Sequence, residues 1–324
     1  MIVVTGGAGF IGSVMAWRLN ELGRDDIIIV DELRTGEKWK NLNGLKYADI
    51  YHKADFFDMI VENDVPFKID AIIHLGACSA TTEKDADYLL HNNYKFTLEL
   101  AKHCLEQDAR FIYASSAATY GDGENGYDDN EDELEKLRPL NMYGYSKHMF
   151  DLWAKHNKVL DRIVGIKFFN VYGPNEYHKD DMRSVVHKAF EQIRDVGKVK
   201  LFKSYHEDYK DGEQKRDFIY VKDAVDMTLH FLENRDENGL FNVGTGNART
   251  WNDLVTALFT AMNKPVEIEY IDMPDHLKGK YQYFTQANVN KIRAAGYAKE
   301  ITSIEDGVKD YVQNYLLKNN YIAW

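Results

Sequence analysis

The chain opens on the apolar run Met1-Ile2-Val3-Val4-Thr5. This leads directly into Gly6-Gly7-Ala8-Gly9-Phe10-Ile11-Gly12 and then into an amphipathic stretch from Ser13 to Leu22. No other feature constrains the fold as tightly, because the order reads as strand, glycine turn and helix at the spacing of a dinucleotide-binding βαβ unit. In such a turn Gly6 lets the chain reverse sharply, Gly9 lets the backbone approach a pyrophosphate, and Gly12 lets the helix pack on its strand. The pyrophosphate would sit at the helix N-terminus, where unpaired N–H groups and the helix dipole favour an anion. The next apolar strand, Ile27-Ile28-Ile29-Val30, ends in Asp31, an acid placed to accept from an adenosine ribose hydroxyl. Asp31 and Glu32 would repel a 2′-phosphate, whereas Arg34, Lys38 and Lys53 could neutralise one, so these residues leave NAD and NADP both open.

Further strand-like runs at Ala71–Leu75, Phe111–Ala114, Ile163–Phe168 and Phe241–Val243 alternate with helical periodicity. That alternation predicts an α/β fold, a doubly wound parallel Rossmann sheet with a second, smaller α/β substrate-binding lobe. The expected division is discontinuous: residues 1–170 plus about 218–250 for the dinucleotide domain, and about 171–217 and 251–324 for the substrate lobe. The carboxyl ends of the strands, where ligands bind in open α/β sheets, carry Gly6–Gly12, Asp31, Gly76-Ala77, Ser115-Ser116 and Asn170.

Tyr143-Gly144-Tyr145-Ser146-Lys147 places a phenol and an amine four residues apart, on one helix face. A phenol is a poor base at neutral pH, but a fixed ammonium beside it and an oxidised nicotinamide would stabilise its phenolate. On spacing alone the pair would fit any solvated helix; the glycine turn is what gives it a purpose. Tyr145 lies only two residues before Lys147, points to another face, and is expected to pack.

A formal net charge of −12 argues against nucleic acid as a partner. No apolar run approaches the roughly 20 residues of a membrane span, and the first strand leaves no room for a secretory signal, so the expected location is cytoplasmic. Cys78 and Cys104 are too few for a disulfide framework, and the scattered histidines lack metal-ligand spacing, so no metal is expected. The acidic tract from Asp122 to Glu135 reads as a solvated loop.

Three ordered motifs, Gly-Gly-x-Gly-x-x-Gly at 6–12, Ser115-Ser116-Ala117-Ala118-Thr119-Tyr120-Gly121 and Tyr143-x-x-x-Lys147, resemble the extended short-chain dehydrogenase/reductase superfamily. More narrowly, Gly76-Ala77-Cys78-Ser79, Asn92-Asn93-Tyr94, Phe169-Asn170-Val171-Tyr172-Gly173-Pro174 and His178-Lys179 resemble the nucleotide-sugar 6-epimerases that act on ADP-heptose. Lys215-Arg216-Asp217-Phe218, Leu277-Lys278-Gly279-Lys280-Tyr281-Gln282 and Phe284-Thr285-Gln286-Ala287 carry the resemblance through most of the chain.

The resemblance implies an isomerase that inverts C6 of ADP-D-glycero-D-manno-heptose to ADP-L-glycero-D-manno-heptose, for supply of lipopolysaccharide core heptose. C6 is a secondary alcohol carbon with no acidic proton, so direct deprotonation would be prohibitively slow. Oxidation to a 6-keto intermediate, re-presentation of the other face and hydride return avoid it. The oxygen moves when the face changes, so a proton partner is needed at each of two positions. The resemblance assigns one to Tyr143, with Lys147 lowering its pKa and binding nicotinamide ribose and Ser116 bonding the substrate oxygen, and the other to Lys179. Ser115, beside the matching serine, is expected to be structural.

The implied cofactor is NADP, with NAD as the alternative. Its binding positions are Gly6, Gly9, Phe10, Ile11, Gly12, Asp31, Glu32, Lys38, Lys53, Leu75, Gly76, Ala77, Cys78, Ser79, Asn92, Lys147, Val171 and Lys179. The implied substrate positions are Ser116, Asn170, Asp181, Lys188, Phe202, Lys203, Ser204, Tyr205, Arg216 and Tyr281. Arg216 has the planar fork that suits a pyrophosphate; its simplest alternative is an ion pair with Asp211 or Asp217. A homo-oligomer, a pentamer, is implied as well.

Glu32 stands where the family has a neutral amide, Asp181 where it has a small hydroxyl residue and Lys188 where it has a histidine, with His187 adjacent; the charged Tyr205–Gln214 segment is longer than the pattern. The alternatives are a nucleotide-hexose 4-epimerase or 4,6-dehydratase using the same Ser116, Tyr143 and Lys147, or a catalytically silent dinucleotide-binding sensor. A dehydratase needs an acid beside the serine, which Ala117-Ala118-Thr119 does not offer.

Overall fold

The computed structural model describes residues 1–275 and 281–324, so Leu277, Lys278, Gly279 and Lys280 lie outside the described residues. Its strands are β1 (Ile2–Thr5), β2 (Ile27–Asp31), β3 (Asp49–His52), β4 (Ala71–His74), β5 (Arg110–Ser116), β6 (Val164–Phe168), β7 (Asn170–Tyr172), β8 (Val199–Phe202), β9 (Lys215–Arg216), β10 (Phe218–Tyr220), β11 (Gly239–Val243), β12 (Arg249–Thr250) and β13 (Ile268–Ile271). Seven of them form one parallel sheet in the order β11-β6-β5-β4-β1-β2-β3, and the other six pair off as β7 with β10, β8 with β13 and β9 with β12. The principal helices are α1 (Phe10–Glu21), α2 (Lys53–Val61), α3 (Ala86–Leu89), α4 (Phe96–Gln107), α5 (Met142–His156), α6 (Val185–Val196), α7 (Val221–Glu233) and α8 (Trp251–Ala261).

The pleat of the short buried strands explains why both sheet faces are covered. Ile2 and Val4 of β1 face one core with Val14, Met15 and Leu19 of α1, while Val3 faces the other with Phe56, Leu100 and Phe150. Each such side chain, fully buried, contributes roughly 1.5–3 kcal/mol. Between Leu90 and Lys95 a π turn joins α3 to α4 and displays Asn92 and Asn93.

The expected apolar strands are present, and a seventh, β3, escaped the sequence reading. Asp49-Ile50-Tyr51-His52 pairs only with β2 at the sheet edge, and its side chains are largely exposed, so no apolar run marks it. The acidic tract is not simply solvated. Asp129 is buried and accepts from the Asn242 N–H at 2.7 Å, and Glu131 accepts from the Leu240 N–H at 2.8 Å, so two of its carboxylates hold the outer strand β11. Tyr145 is 47% exposed rather than packed, because the α5 face it occupies points away from both cores. No helix among the described residues is long and apolar enough to cross a membrane.

Candidate active site

Strand order reverses at β1, which lies between β4 and β2, and this switch point is where the glycine turn opens. Gly6 has φ +66°, and a Cβ on Gly12 would stand 2.1 Å from the Gly6 carbonyl oxygen, so only glycines allow this turn to fold back on α1. Thr5 Oγ1 and His74 Nδ1 are 2.6 Å apart, and Gly76 N–H donates to the same hydroxyl at 3.2 Å, which clamps the β1 and β4 ends together. His74 is held well below its ordinary pKa by burial, reinforced by Lys147, and so bridges Thr5 and Thr97 as a neutral ring.

A cleft of about 940 Å³ lies over these strand ends. Asp31 at the end of β2 is buried and accepts from the Ala8 N–H at 2.8 Å and the Glu32 N–H at 2.7 Å, and it also pairs with Lys38. Glu32 pairs with Lys53 at 2.8 Å and Arg34 at 3.2 Å, and these partners, Lys53 foremost, draw its carboxyl below the usual range. The pocket rim therefore carries Arg34, Lys38 and Lys53 against two carboxylates. Lys53 also reaches Asn92 at 3.0 Å.

The catalytic candidates come from two neighbouring elements. Asn141 caps α5 by accepting from the Gly144 N–H at 2.8 Å, which starts the helix one residue before Tyr143. Ser116 ends β5, and its Oγ accepts from the Ala118 N–H at 3.1 Å. Burial raises the Tyr143 pKa, a hydrogen bond with Ser116 opposes the rise, and Cys78 adds to it. Lys147, one helical turn on, is 4% exposed; burial pushes its amine down to about 8 against the pull of Asp151. A buried amine one helical turn from a phenol, both lining the cleft, is an arrangement suited to proton transfer at an alcohol oxygen.

Lys179 belongs to a turn spanning Tyr177–Met182, and its Nζ stands over the Phe10 ring at 5.4 Å. Burial lowers its pKa while Glu176 opposes the shift. The next residue, Asp180, has φ +45°, an unusual conformation for a non-glycine residue.

The cleft brings together every residue expected to bind cofactor, together with Ser116, Tyr143 and Asn170. The remaining substrate positions sit beyond it. Trp251 lines the cleft and donates through Nε1 to the Tyr281 hydroxyl at 2.9 Å, and the buried Arg216 guanidinium stacks between these rings at 5.8 and 5.3 Å. Arg216 has no carboxylate partner among the described residues. It donates to the carbonyls of Lys215, at 2.8 Å, and Gln282, while Asp217 accepts from Thr245, Gly246 and Ala287 and Asp211 accepts from Ser204. Phe202 ends β8; Lys203 pairs with Asp272 at 3.2 Å, and Tyr205 donates to the same carboxylate at 2.9 Å. Asp181 is exposed and Lys188 partly exposed, whereas His187 turns into the core to contact the Tyr311 hydroxyl at 3.0 Å. Among the described residues, no group of three or more His, Cys, Asp or Glu is arranged to hold a metal ion.

Two buried side chains, Asn93 and Asp151, support the site through partners distant in sequence. Asn93, 1% exposed, accepts from the Cys78 N–H at 2.9 Å and donates to the Cys78 carbonyl and Ser146 Oγ, each at 3.0 Å, locking the β4 loop to α5. Asp151 accepts from Tyr113, Ser115 and Lys167, so Ser115 is a structural neighbour of Ser116. A lysine within the buried run Val164-Gly165-Ile166-Lys167-Phe168 was the available signal for such a buried partner.

The model of the NAD dependent epimerase/dehydratase family matches residues 2–244. The chain belongs to that family. It is 58% identical over 316 residues to the ADP-L-glycero-D-manno-heptose-6-epimerase of Nitratidesulfovibrio vulgaris, covering 98% of each chain. It is 51% identical over 329 residues to the Fusobacterium nucleatum protein of the same name, covering 99% of each. A crystal structure of the Helicobacter pylori ADP-L-glycero-D-manno-heptose-6-epimerase superposes with a TM-score of 0.82 at 29% identity, covering 97% of this chain and 95% of that one.

Proposed function

We propose that this chain is an isomerase that inverts C6 of ADP-D-glycero-D-manno-heptose to give ADP-L-glycero-D-manno-heptose, with NADP held in the cleft, and that it supplies heptose for lipopolysaccharide core. The observation that carries this reading is the near-full-length identity to epimerases of that name, joined to a cleft where Tyr143 meets Ser116 and Lys179 enters from a separate turn. The residues present suit a dinucleotide: a glycine cradle at the start of the twelve-residue α1, an acid at the end of β2 and a buried lysine one helical turn from the reacting phenol. When bound, the nicotinamide supplies a hydride acceptor and donor.

The chain's own residues manage the proton and the position of the oxygen. Ser116 Oγ hydrogen-bonds the substrate's O6 and Tyr143 removes its proton, with Lys147 favouring the phenolate electrostatically. Inversion displaces the oxygen, and Lys179 exchanges the proton at its second position. Arg216, buried with no carboxylate partner among the described residues, holds the substrate pyrophosphate, and Trp251 and Tyr281 fix its plane. We also propose the discontinuous two-lobe division at about residues 171, 218 and 251, and a pentameric assembly that light scattering would test.

The test is incubation of the cofactor-loaded protein with ADP-D-glycero-D-manno-heptose, followed by NMR. The reading expects the C6 configuration to approach an equilibrium mixture. An unchanged substrate, with UDP-glucose converted at C4 under the same conditions, would favour a hexose 4-epimerase instead.

A further inference from the structure

Lys179 Nζ makes no ion pair or side-chain hydrogen bond among the described residues; it stands over the Phe10 ring at 5.4 Å and feels the buried Glu176 carboxylate only through space. A long side chain with no bond to fix its end is placed by its backbone. The residues just before Lys179 are held to an unusual degree.

Asn175 is 0% exposed and adopts φ +74°. Its Nδ2 donates to Ser13 Oγ at 2.9 Å, in the first turns of the cofactor helix α1, and Ser13 Oγ donates in turn to the Phe10 carbonyl at 3.1 Å. Its Oδ1 accepts from the Ile322 N–H at 3.0 Å, in the C-terminal tail. Its carbonyl accepts from Asn41 Nδ2 at 3.1 Å, and Asn41 also donates to the Ala8 carbonyl of the glycine turn at 2.9 Å. Glu176, 1% exposed, accepts from Ser184 Oγ at 2.6 Å. The Tyr177 hydroxyl is within 3.2 Å of the Asn320 carbonyl, and its ring lies 5.0 Å from that of Tyr321. The tail thus grips the segment at both Asn175 and Tyr177, and Asn175 also ties it to the helix that carries Phe10.

We propose that the C-terminal tail, acting through the Ile322 N–H and Asn175, is a positioning device that sets where the Lys179 amine stands against Phe10 in the cleft. Asn175 and Ile322 are positioning residues: neither reaches the reacting atoms, and both act through the backbone that carries Lys179. The proposal rests on the reading of Lys179 as the second proton partner. A side-chain amide at a left-handed position is the economical choice here, since asparagine tolerates that conformation and offers both a donor and an acceptor.

The test uses the full-length, cofactor-loaded protein and three variants: Asn175→Gly, which keeps the left-handed backbone accessible but removes both side-chain bonds; a truncation after Tyr321; and Lys179→Met. Each is assayed for kcat, substrate KM, cofactor affinity and melting temperature, and in the first two the rate of Lys179 labelling by an amine-directed reagent is followed by peptide mass spectrometry. A misplacement of about 1 Å can cost about 100-fold, so kcat should fall by about 10- to 100-fold in Asn175→Gly and in the truncation, with KM and cofactor affinity within about threefold. Labelling of Lys179 should accelerate severalfold while that of other lysines is unchanged. If the truncated chain does not fold, Asn175→Gly, which leaves the tail in place, decides the question. A kcat within twofold of the parent, or a fall in kcat with Lys179 labelling unchanged, overturns the positioning role. Near-normal turnover of Lys179→Met instead overturns the acid/base reading, and the positioning role with it; an inactive Lys179→Met beside a fully active Asn175→Gly removes the positioning role alone.

Discussion

Lys167 Nζ lies 2.8 Å from Asp151 Oδ2, and both side chains are withdrawn from solvent, at 1% and 0% exposure. Asp151 stands one helical turn beyond Lys147, and Thr119 accepts from Lys167 at 2.7 Å while donating to the Ser116 carbonyl at 2.8 Å. The pair therefore underlies both elements that carry the candidate catalytic residues, β5 with Ser116 and α5 with Tyr143 and Lys147. Asp151→Asn leaves the Lys167 ammonium buried without its counter-charge, and urea unfolding should show a loss of about 3–5 kcal/mol. Adding Lys167→Met should recover much of it, because the uncompensated charge is then gone.

Lys147 illustrates the opposite balance between stability and function. Burial lowers its pKa from 10.5 to about 8, so the folded state binds fewer protons than the unfolded state between those values. The cost to stability is fully present below about 8 and is relieved as pH rises towards 10.5. Lys147→Met in the cofactor-free protein should raise stability by about 1–3 kcal/mol at pH 7 while abolishing turnover, and the gain should shrink above pH 8. Denaturation at pH 7 and pH 10 checks both signs.

Much of the site was legible because its parts are local. The glycine turn, Asp31 closing an apolar strand and the Tyr143–Lys147 spacing each fix geometry within a few residues. Ser116 entered through the resemblance at its motif, at the end of a buried strand. What was not legible depends on distant partners. Nothing near Asn175 in sequence announces Ser13 or Ile322, and nothing near Asp129 announces Asn242. The edge strand β3 lacks an apolar run because only one neighbour covers it. Tyr145 shows that a helix face turned from the catalytic side need not pack at all: it can simply meet solvent.

Arg216 should act on binding rather than on chemistry. Hydrogen bonds to charged groups contribute about 1.5–3 kcal/mol, so Arg216→Gln should raise the substrate KM by roughly 10- to 100-fold with a smaller change in kcat. Arg216→Lys should not restore it, since a point charge cannot replace a planar fork held between Trp251 and Tyr281. Steady-state kinetics on the three proteins measures this directly.

Arg34, Lys38 and Lys53 line the cleft beside Asp31 and Glu32, where a 2′-phosphate would have to be neutralised. Lys53 is shared between Glu32 and Asn92. If it neutralises a 2′-phosphate, Lys53→Ala should weaken NADP by about tenfold and leave NAD within about twofold, because only NADP carries the extra charge. Isothermal titration with each dinucleotide provides the comparison.

If C6 is inverted by hydride removal and return, the chain's residues move only the hydroxyl proton and the hydrogen on C6 never meets solvent. Substrate deuterated at C6 and turned over in ordinary water distinguishes this from deprotonation. NMR and mass spectrometry should find the deuterium retained at C6 of the inverted product, with no net consumption of cofactor. Loss of the label to solvent in step with inversion would mean that C6 had been deprotonated rather than oxidised, and would rule out hydride return.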